Sequence, residues 1–288
     1  MTTLSAQVVH PPAQQAPAGP ASRRRRRVGG RWLLPLWGWL VILWLSSPIL
    51  VMIVFGFNDG NGKTVSLNWN GFTFKWYRNI FAYSDLTTAL QNSITIALLT
   101  TAIATALGTL MGVALGRWRF RGTGSVNLLM FANIAAPEVV LGAALLSMFL
   151  ALGIPRGYWT ILLAHVMFSI AYVAVTVRAR MAGLDPSLEE AARDLGAGPI
   201  TTFFRITLPV IRPGVMAGAL LAFALSIDDY IITSFNNGST QTFPLWVYGA
   251  NQRQGGSVPP QVYVMGTLIF AFGVLVAIAG AISARKKA

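Results

Sequence analysis

Long apolar runs dominate the pattern of this chain. Each of six runs has about the 20 residues that a helix needs to cross the roughly 30 Å core of a bilayer. They lie at Leu33–Phe57, Ser93–Leu115, Val126–Leu152, Trp159–Val177, Val215–Phe235 and Val262–Ile282. The composition agrees, since 54% of the 288 residues are hydrophobic and 11% are charged, against roughly 25% charged in a soluble domain. The pattern predicts an all-α polytopic membrane protein with six transmembrane helices.

The basic residues indicate how these helices are oriented. The chain carries 22 Lys and Arg residues against nine Asp and Glu residues, a net charge of +13. If the N-terminus is cytoplasmic, all of the basic residues fall on the inner side except Lys63, Lys75, Arg78, Arg156 and Arg253. Because Lys and Arg concentrate in cytoplasmic loops, both termini are predicted to be cytoplasmic. The charge is thus a topology signal and a contact for the lipid membrane, and no nucleic-acid partner is expected.

Three regions follow from this layout. Residues 1–31 are rich in Ala, Pro and Gln and then in Arg, which predicts a disordered basic cytoplasmic tail. Residues 32–284 form the six-helix transmembrane domain, with a long cytoplasmic loop at 181–213. Residues 285–288 form a basic C-terminal tail.

The sequence offers no catalytic machinery. It has no Cys, and no pairing of a nucleophile with a base and no metal-ligand cluster stands out, so a membrane enzyme is disfavoured. Gly62-Lys63-Thr64 resembles the end of a phosphate-binding loop, but that motif requires a Gly five positions before Gly62, where Phe57 stands. We therefore expect no enzyme activity, no metal and no cofactor bound by this chain.

The cytoplasmic loop contains signals for two short helices outside the bilayer. Asp185 is placed to cap the first helix, and Gly196 is placed to end it. Pro199 can start the second helix, and Pro209 and Pro213 are predicted to bound its exit.

Four elements of this loop also occur at a characteristic spacing. Glu190-Ala191-Ala192 is followed after three residues by Gly196 and after nine more by Ile206-Thr207-Leu208-Pro209. This pattern is similar to the EAA loop of bacterial ABC importer permeases, which implies that family and its type I permease fold. In the family the loop is a coupling helix that docks in a groove of a separate ATP-hydrolysing subunit. The resemblance implies this role for Glu190, Ala191, Ala192, Gly196, Leu208 and Pro209.

Longer stretches narrow the resemblance. "AAPEVVLGAALLSMFLALGIPRGYWT" and "ALSIDDYIITSF" resemble the second-subunit branch of the spermidine/putrescine-type permeases. The resemblance implies a multi-pass subunit of the bacterial cytoplasmic membrane that forms half of a path for a polyamine or similar organic cation. It implies as partners a second permease subunit, two ATP-binding cassette subunits that hold ATP-Mg, and an extracytoplasmic substrate-binding protein.

Two alternatives remain at this point. The same machinery imports other solutes, so an opine, another amine, a phosphonate or a sugar is an alternative cargo. A proton-coupled secondary transporter explains acids inside the membrane equally well, but it does not explain the EAA loop.

Three acidic residues lie within predicted spans, namely Glu138, Asp228 and Asp229, where charge is costly and usually functional. A rise of 1.5 Å per residue places Glu138 and Asp228 at similar depth in the outer half of the core. Pro137 removes a helical hydrogen-bond donor and predicts a bend in the third span. We interpret Glu138 as lining the path; the alternative is a structural kink in which Glu138 bonds to a neighbouring helix.

The adjacent acids are predicted to differ, because successive residues of a regular helix point about 100° apart. Asp229 shares a polar face with Ser226 and Thr233, and is predicted to face the path with Tyr230 available to cover a cation. Asp228 lies on an apolar face and is predicted to pack against a neighbouring helix. The candidate path residues are Asp229, Tyr230, Glu138, Asp228, Ser226 and Thr233, and nearby His165 is expected to be a buried, hydrogen-bonded histidine.

Overall fold

The computed structural model describes residues 33–60, 68–252 and 258–285. Twelve helices are described, and no strand longer than an isolated bridge occurs in these ranges. Their bounds are α1 Leu33–Phe55, α2 Lys75–Arg78, α3 Ser84–Arg117, α4 Thr123–Ala135, α5 Glu138–Ala151, α6 Tyr158–Met181, α7 Ser187–Asp194, α8 Pro199–Thr202, α9 Leu208–Ile227, α10 Ile231–Asn236, α11 Phe243–Gln252 and α12 Gln261–Arg285. The chain divides into two compact units, Met1–Ser47 and Pro48–Ala288, and the second unit carries the sites described below.

Five of the described helices are long and apolar enough to cross a membrane. They are Pro35–Phe55, Ser84–Arg117, Tyr158–Met181, Pro199–Ile227 and Gln261–Ile278. A sixth span results if α4 and α5, which are bent by 112° at their junction, are counted together. The all-α, multi-span architecture predicted from the apolar runs is therefore confirmed. The N-terminal tail, the Gly62-Lys63-Thr64 segment and residues 286–288 lie outside the described residues.

The third span is broken rather than gently bent. Pro137 stands between α4 and α5 in an extended conformation, with φ −59° and ψ 134°. Its missing N–H and the restriction that it places on Ala136 together end α4. The predicted bend at Pro137 is thus confirmed, and it is larger than a proline kink in a continuous helix.

The predicted exit of the second loop helix at Pro209 and Pro213 is wrong. Pro199 does begin α8, but α8 continues through a π-helical turn, Phe203–Thr207, directly into α9. Pro209 falls in the first turn of α9, a position where the absence of an N–H group is tolerated. The fifth span therefore starts much earlier than Val215.

Helix α6 lies at the centre of the second unit and packs against α3, α9 and α10. Three glycines at four-residue spacing make the contact with α3 close. A Cβ on Gly108 would lie 2.6 Å from Cβ of Val173, and one on Gly112 would lie 2.7 Å from the carbonyl oxygen of Ala174. Gly116 continues the same stripe. Small residues at this spacing let membrane helices approach closely, so this glycine stripe sets the α3–α6 distance.

The two ends of α3 carry different structures. At its C-terminal end, Arg117 contacts α7; we call this the α7 end. At its N-terminal end, Leu86 and Ala89 pack with Trp246 of α11 and with Met265 of α12; we call this the α11 end.

Candidate functional site

The chain leaves the helix where the two adjacent acids occur. Helix α9 ends at Ile227 and α10 begins at Ile231, so Asp228, Asp229 and Tyr230 form a three-residue break. The sequence-based assignment of helix faces assumed a regular helix through this point, and that assumption is wrong. Asp228 itself keeps helical backbone angles at the end of α9, with φ −103° and ψ 0°, so its direction follows that helix, whereas Asp229 and Tyr230 lie beyond it.

Asp229 is the acid whose side chain is buried within the protein, with 6% of it exposed. Its Oδ2 accepts hydrogen bonds from the backbone N–H of Thr233 at 2.8 Å and from Thr233 Oγ1 at 2.7 Å. Its Oδ1 accepts a longer bond from the N–H of Ile232 at 3.4 Å. The carboxylate thus satisfies amides in the first turn of α10 that have no partner within that helix.

His165 of α6 joins this group from the opposite side. Its Nε2 lies 3.1 Å from Asp229 Oδ2 and 2.9 Å from Thr233 Oγ1, and its Nδ1 lies 2.8 Å from Ser226 Oγ. A neutral imidazole protonated at Nε2 donates toward Asp229 and accepts from Ser226, so every group has a suitable partner. We call these four residues the His165 network. The expectation of a buried, hydrogen-bonded histidine is confirmed.

Asp228 points the other way, into a cavity of about 1480 Å³ lined mainly by α9, α11 and α12. Its side chain is exposed, and among the described residues that line the cavity it is the only one with a charge. The predicted placements of Asp228 and Asp229 are therefore reversed. Ser226 and Thr233 are buried with Asp229 and do not line the cavity.

Aromatic side chains line the same cavity as Asp228. Tyr230 follows it across the break and packs against Tyr248 of α11, with ring centroids 4.5 Å apart and planes inclined at 41°. Tyr263 of α12 lines the same cavity. Glu138, at the start of α5, is exposed but is not among the described residues that line this cavity. The arrangement combines carboxylate charge, π faces and apolar wall, which suits an organic cation.

At the α7 end, the first loop helix forms as the sequence predicts. The carboxylate of Asp185 accepts a hydrogen bond from the N–H of Ser187 at 3.0 Å, which lowers the pKa of Asp185 below its usual value. Gly196 has φ +82°, and the N–H of Ala197 reaches the carbonyl of Ala192 at 3.0 Å. A left-handed glycine of this kind closes a helix C-terminus, and the predicted end at Gly196 is confirmed.

Two adjacent acids of α7 also face opposite ways. Glu189 is buried, forms an ion pair with Arg117 of α3 and accepts a hydrogen bond from Thr207 of the π-helical turn. Glu190 is exposed. One face of α7 therefore contacts α3 and the turn before α9, while Glu190 lies on an exposed face.

The open side of the α7 end carries apolar surface. Leu195 is 89% exposed and Ile200 is 75% exposed. Of the six candidate coupling residues, Glu190, Ala191, Gly196 and Pro209 are exposed and Ala192 is half-buried. Leu208 instead packs inward against the core of α3, α6 and α9.

The sequence did not single out Glu189, Arg117 and Tyr248 as site residues. Glu189 and Glu190 are indistinguishable by type, and only the contact with Arg117 separates them. Tyr248 lies in α11, which has 10 residues and is too short to span a membrane. His165 was expected to be buried and hydrogen-bonded, but the sequence did not show which residues it contacts.

Comparisons with known proteins agree with this architecture. The family model described as "Binding-protein-dependent transport system inner membrane component" matches residues 104–288. The spermidine/putrescine transport system permease protein PotC of Escherichia coli (strain K12) is 37% identical over 248 residues, covering 86% of this chain and 92% of that protein. The putrescine transport system permease protein PotI of the same strain is 40% identical over 252 residues, covering 84% of this chain and 88% of that protein.

A solved structure of a bacterial ABC transporter involved in the import of the acidic polysaccharide alginate has a TM-score of 0.64 at 14% identity. The match covers 88% of this chain and 93% of that chain, and at this identity it shows the fold alone. The family match and the sequence relatives show a multi-pass subunit of a binding-protein-dependent transport system rather than an enzyme. The chain belongs to the binding-protein-dependent transport system inner membrane component family.

Proposed function

We propose that this chain forms half of the path by which an ATP-driven importer carries a polyamine or similar organic cation across the bacterial cytoplasmic membrane. The observation that carries the proposal is Asp228, an exposed carboxylate and the only charged side chain among the described residues that line the cavity. Relatives whose names specify spermidine and putrescine transport support the choice of cargo.

The cavity has chemically suitable partners for both the ammonium groups and the methylene chain of such a cargo. An ammonium group that leaves water needs replacement charge, and Asp228 supplies it. The faces of Tyr230 and Tyr248 can cover the cation, and the surrounding apolar side chains suit its methylene chain. Asp229, Ser226 and Thr233 support this surface from behind instead of touching the cargo.

The α7 end is the proposed docking surface for the ATP-binding subunits. Glu190 and Ala191 present an acid beside a small side chain, and Leu195 and Ile200 add apolar area of the kind that marks protein interfaces. Two such subunits hold ATP-Mg between them, and this chain binds no nucleotide. This end and both termini face the cytoplasm, in accord with the distribution of Arg and Lys.

The opposite, α11 end receives cargo from the substrate-binding protein. A second permease subunit supplies the other half of the path. ATP binding brings the two ATPase subunits together and moves α7, and the path opens alternately to the two sides of the membrane. Glu189 links α7 to α3 through Arg117, so a displacement of α7 is transmitted to a spanning helix.

ATP-dependent uptake of radiolabelled putrescine and spermidine, measured in vesicles containing the complete transporter, tests the proposal. We expect Asp228→Asn to raise the KM about tenfold or more, since a charge-assisted hydrogen bond contributes roughly 1.5–3 kcal/mol. Asp228→Glu should keep most of the uptake. Uptake of a neutral sugar or an anion in place of the amines, or an unchanged KM in Asp228→Asn, would overturn the assignment.

A further inference from the structure

The segment between α1 and α3 carries aromatic rings on the surface of the protein. Phe72 is 63% exposed and Phe74 is 53% exposed, although both rings pack against Phe57, with centroids 5.3 Å and 5.5 Å away. Trp69 and Phe81 of the same segment are also exposed. Neither the proposed path nor the proposed ATPase contact uses these rings, and clustered exposed apolar surface typically marks a site of interaction with a membrane or another molecule.

The depth of this surface is fixed by the end of a helix long enough to cross the membrane. Helix α1 ends at Phe55, so Phe57 lies within about 7 Å of that end even where the chain is fully extended. The N–H of Thr73 donates to the carbonyl of Phe57 at 2.8 Å, and Nε1 of Trp76 donates to the carbonyl of Asn58 at 2.8 Å. Because the headgroup layer is about 5–8 Å thick on each side of the core, these contacts hold the rings at headgroup level.

Two cations lie beside the rings. A groove of about 430 Å³, which we call the Lys75 groove, is lined by Phe72, Thr73, Phe74, Lys75, Arg78 and Asn79. Lys75 and Arg78 are exposed, and no acid is among the described residues that line the groove. The two cations are three residues apart on the single turn of α2, a spacing that places side chains on the same side of a helix. The groove therefore offers paired positive charge directly beside apolar rings.

This combination matches the chemistry of an anionic phospholipid. A phosphodiester accepts charge-assisted hydrogen bonds from Lys and Arg, and aromatic rings at headgroup level are the usual interfacial anchors of membrane proteins. A protein that approaches from the aqueous side would meet the cations, but it would not reach rings held within the headgroup layer. A lipid meets both at once.

We infer that the Lys75 groove binds the headgroup of an anionic phospholipid, whose phosphate pairs with Lys75 and Arg78 while Phe72 and Phe74 contact the adjoining glycerol and acyl region. The inference goes beyond the proposed function and does not depend on the cargo. It assigns a ligand to a surface that the transport path leaves unused.

Brominated lipids test this inference, because bromine quenches a fluorophore that it contacts. The chain has no native Cys, so Asn79→Cys places one labelled thiol at the groove of the full-length chain, assembled with cysteine-free partner subunits. Vesicles of phosphatidylcholine then receive the same mole fraction of brominated phosphatidylglycerol or of brominated phosphatidylcholine. We expect the label to show a relative affinity of about 25-fold for phosphatidylglycerol, since each of two basic residues near a membrane surface contributes about fivefold.

Removing either cation should weaken this preference. Lys75→Gln and Arg78→Gln should each lower the relative affinity for phosphatidylglycerol about fivefold, while Lys75→Arg, which keeps the charge, should preserve it. Arg156→Gln is the matched control, because it removes an exposed basic residue that does not line the groove. The preference measured at Asn79→Cys should be the same with and without Arg156→Gln.

A second label position separates a local site from general enrichment of anionic lipid around the protein. Leu152, the residue that follows α5, is exposed and does not line the groove. A label on Leu152→Cys should show no preference between the two brominated lipids. A preference of equal size at Leu152→Cys and Asn79→Cys would mean general enrichment and would overturn the inference.

Three other results would also overturn it. Equal quenching of the Asn79→Cys label by the two lipids would mean that the segment contacts the membrane without an anion site. The absence of quenching by both lipids would place the groove outside the membrane. If Lys75→Gln and Arg78→Gln left the lipid preference unchanged, whether or not affinity for the substrate-binding protein fell, the cations would serve another partner.

Discussion

Arg117, the last residue of α3, forms an ion pair with Glu189 of α7, whose side chain is 3% exposed. This contact joins a membrane-spanning helix to the helix proposed to meet the ATPase. Thr207, in the π-helical turn before α9, donates to the same carboxylate. A single acid therefore connects α7 with two spans, while the adjacent Glu190 remains exposed.

Glu189→Gln should destabilise the folded subunit. Removing one partner of a buried ion pair costs about 3–5 kcal/mol, and we expect the lower end because Arg117 is 22% exposed. Thermal unfolding of the purified subunit without the ATP-binding subunits measures the effect as a lowered Tm. Glu190→Gln is the matched control and should leave the Tm unchanged; equal shifts in the two variants would contradict the assignment.

Glu190→Gln should instead weaken the interaction with the ATP-binding subunit. Loss of a charged contact that becomes buried at an interface costs about 2 kcal/mol or more, so we expect roughly a 30-fold or greater rise in Kd. Titration of the purified ATPase subunit onto the reconstituted subunit measures this Kd. Unchanged affinity and unchanged uptake in Glu190→Gln would show that docking uses another surface.

Two substitutions of Tyr230 distinguish the contribution of its ring to cation binding from that of its hydroxyl. If the ring covers a cation, Tyr230→Phe should keep the KM for putrescine nearly unchanged. Tyr230→Leu should raise the KM about 2- to 30-fold, the range that corresponds to a cation–π contribution of about 0.5–2 kcal/mol. Equal increases in both variants would assign the effect to the hydroxyl, and no increase in either would exclude the ring from the path.

Gly238 allows the segment after α10 to lie against the loop before α6. It has φ +54°, and a Cβ there would lie 2.3 Å from the carbonyl oxygen of Arg156. Gly238→Ala should therefore lower the Tm through both left-handed strain, about 1–2 kcal/mol, and displacement of the Arg156 backbone. Gly153 has φ +68° with nothing within 4 Å, so Gly153→Ala isolates the strain. Equal losses of Tm would rule out the close approach as a source of stability.

Much of the fold could be predicted because spanning helices are long and continuously apolar. The ends of α7 were also predictable, since Asp185 and Gly196 act on backbone within a few residues of themselves. The π-helical turn was not, and it carries the helix through Pro209 into the membrane. Local patterns therefore located the elements better than their junctions.

The orientation of the adjacent acids could not be predicted because it depends on distant partners. His165 lies 64 residues before Asp229, and helical spacing contains no information about that contact. The same limitation applies to Glu189, whose partner Arg117 belongs to another helix. Helical spacing separates the two acids of each pair onto different faces, but only the tertiary structure shows what each face contacts.

The different surroundings of Asp228 and Asp229 have an evolutionary consequence. Asp228, which we propose meets the cargo, is exposed, while the side chain of Asp229 is buried in the His165 network. Selection for a new solute can therefore exchange the side chain at position 228 without first compensating for lost stability. A scaffold built in this way can diversify its cargo through single substitutions beside a preserved helix break.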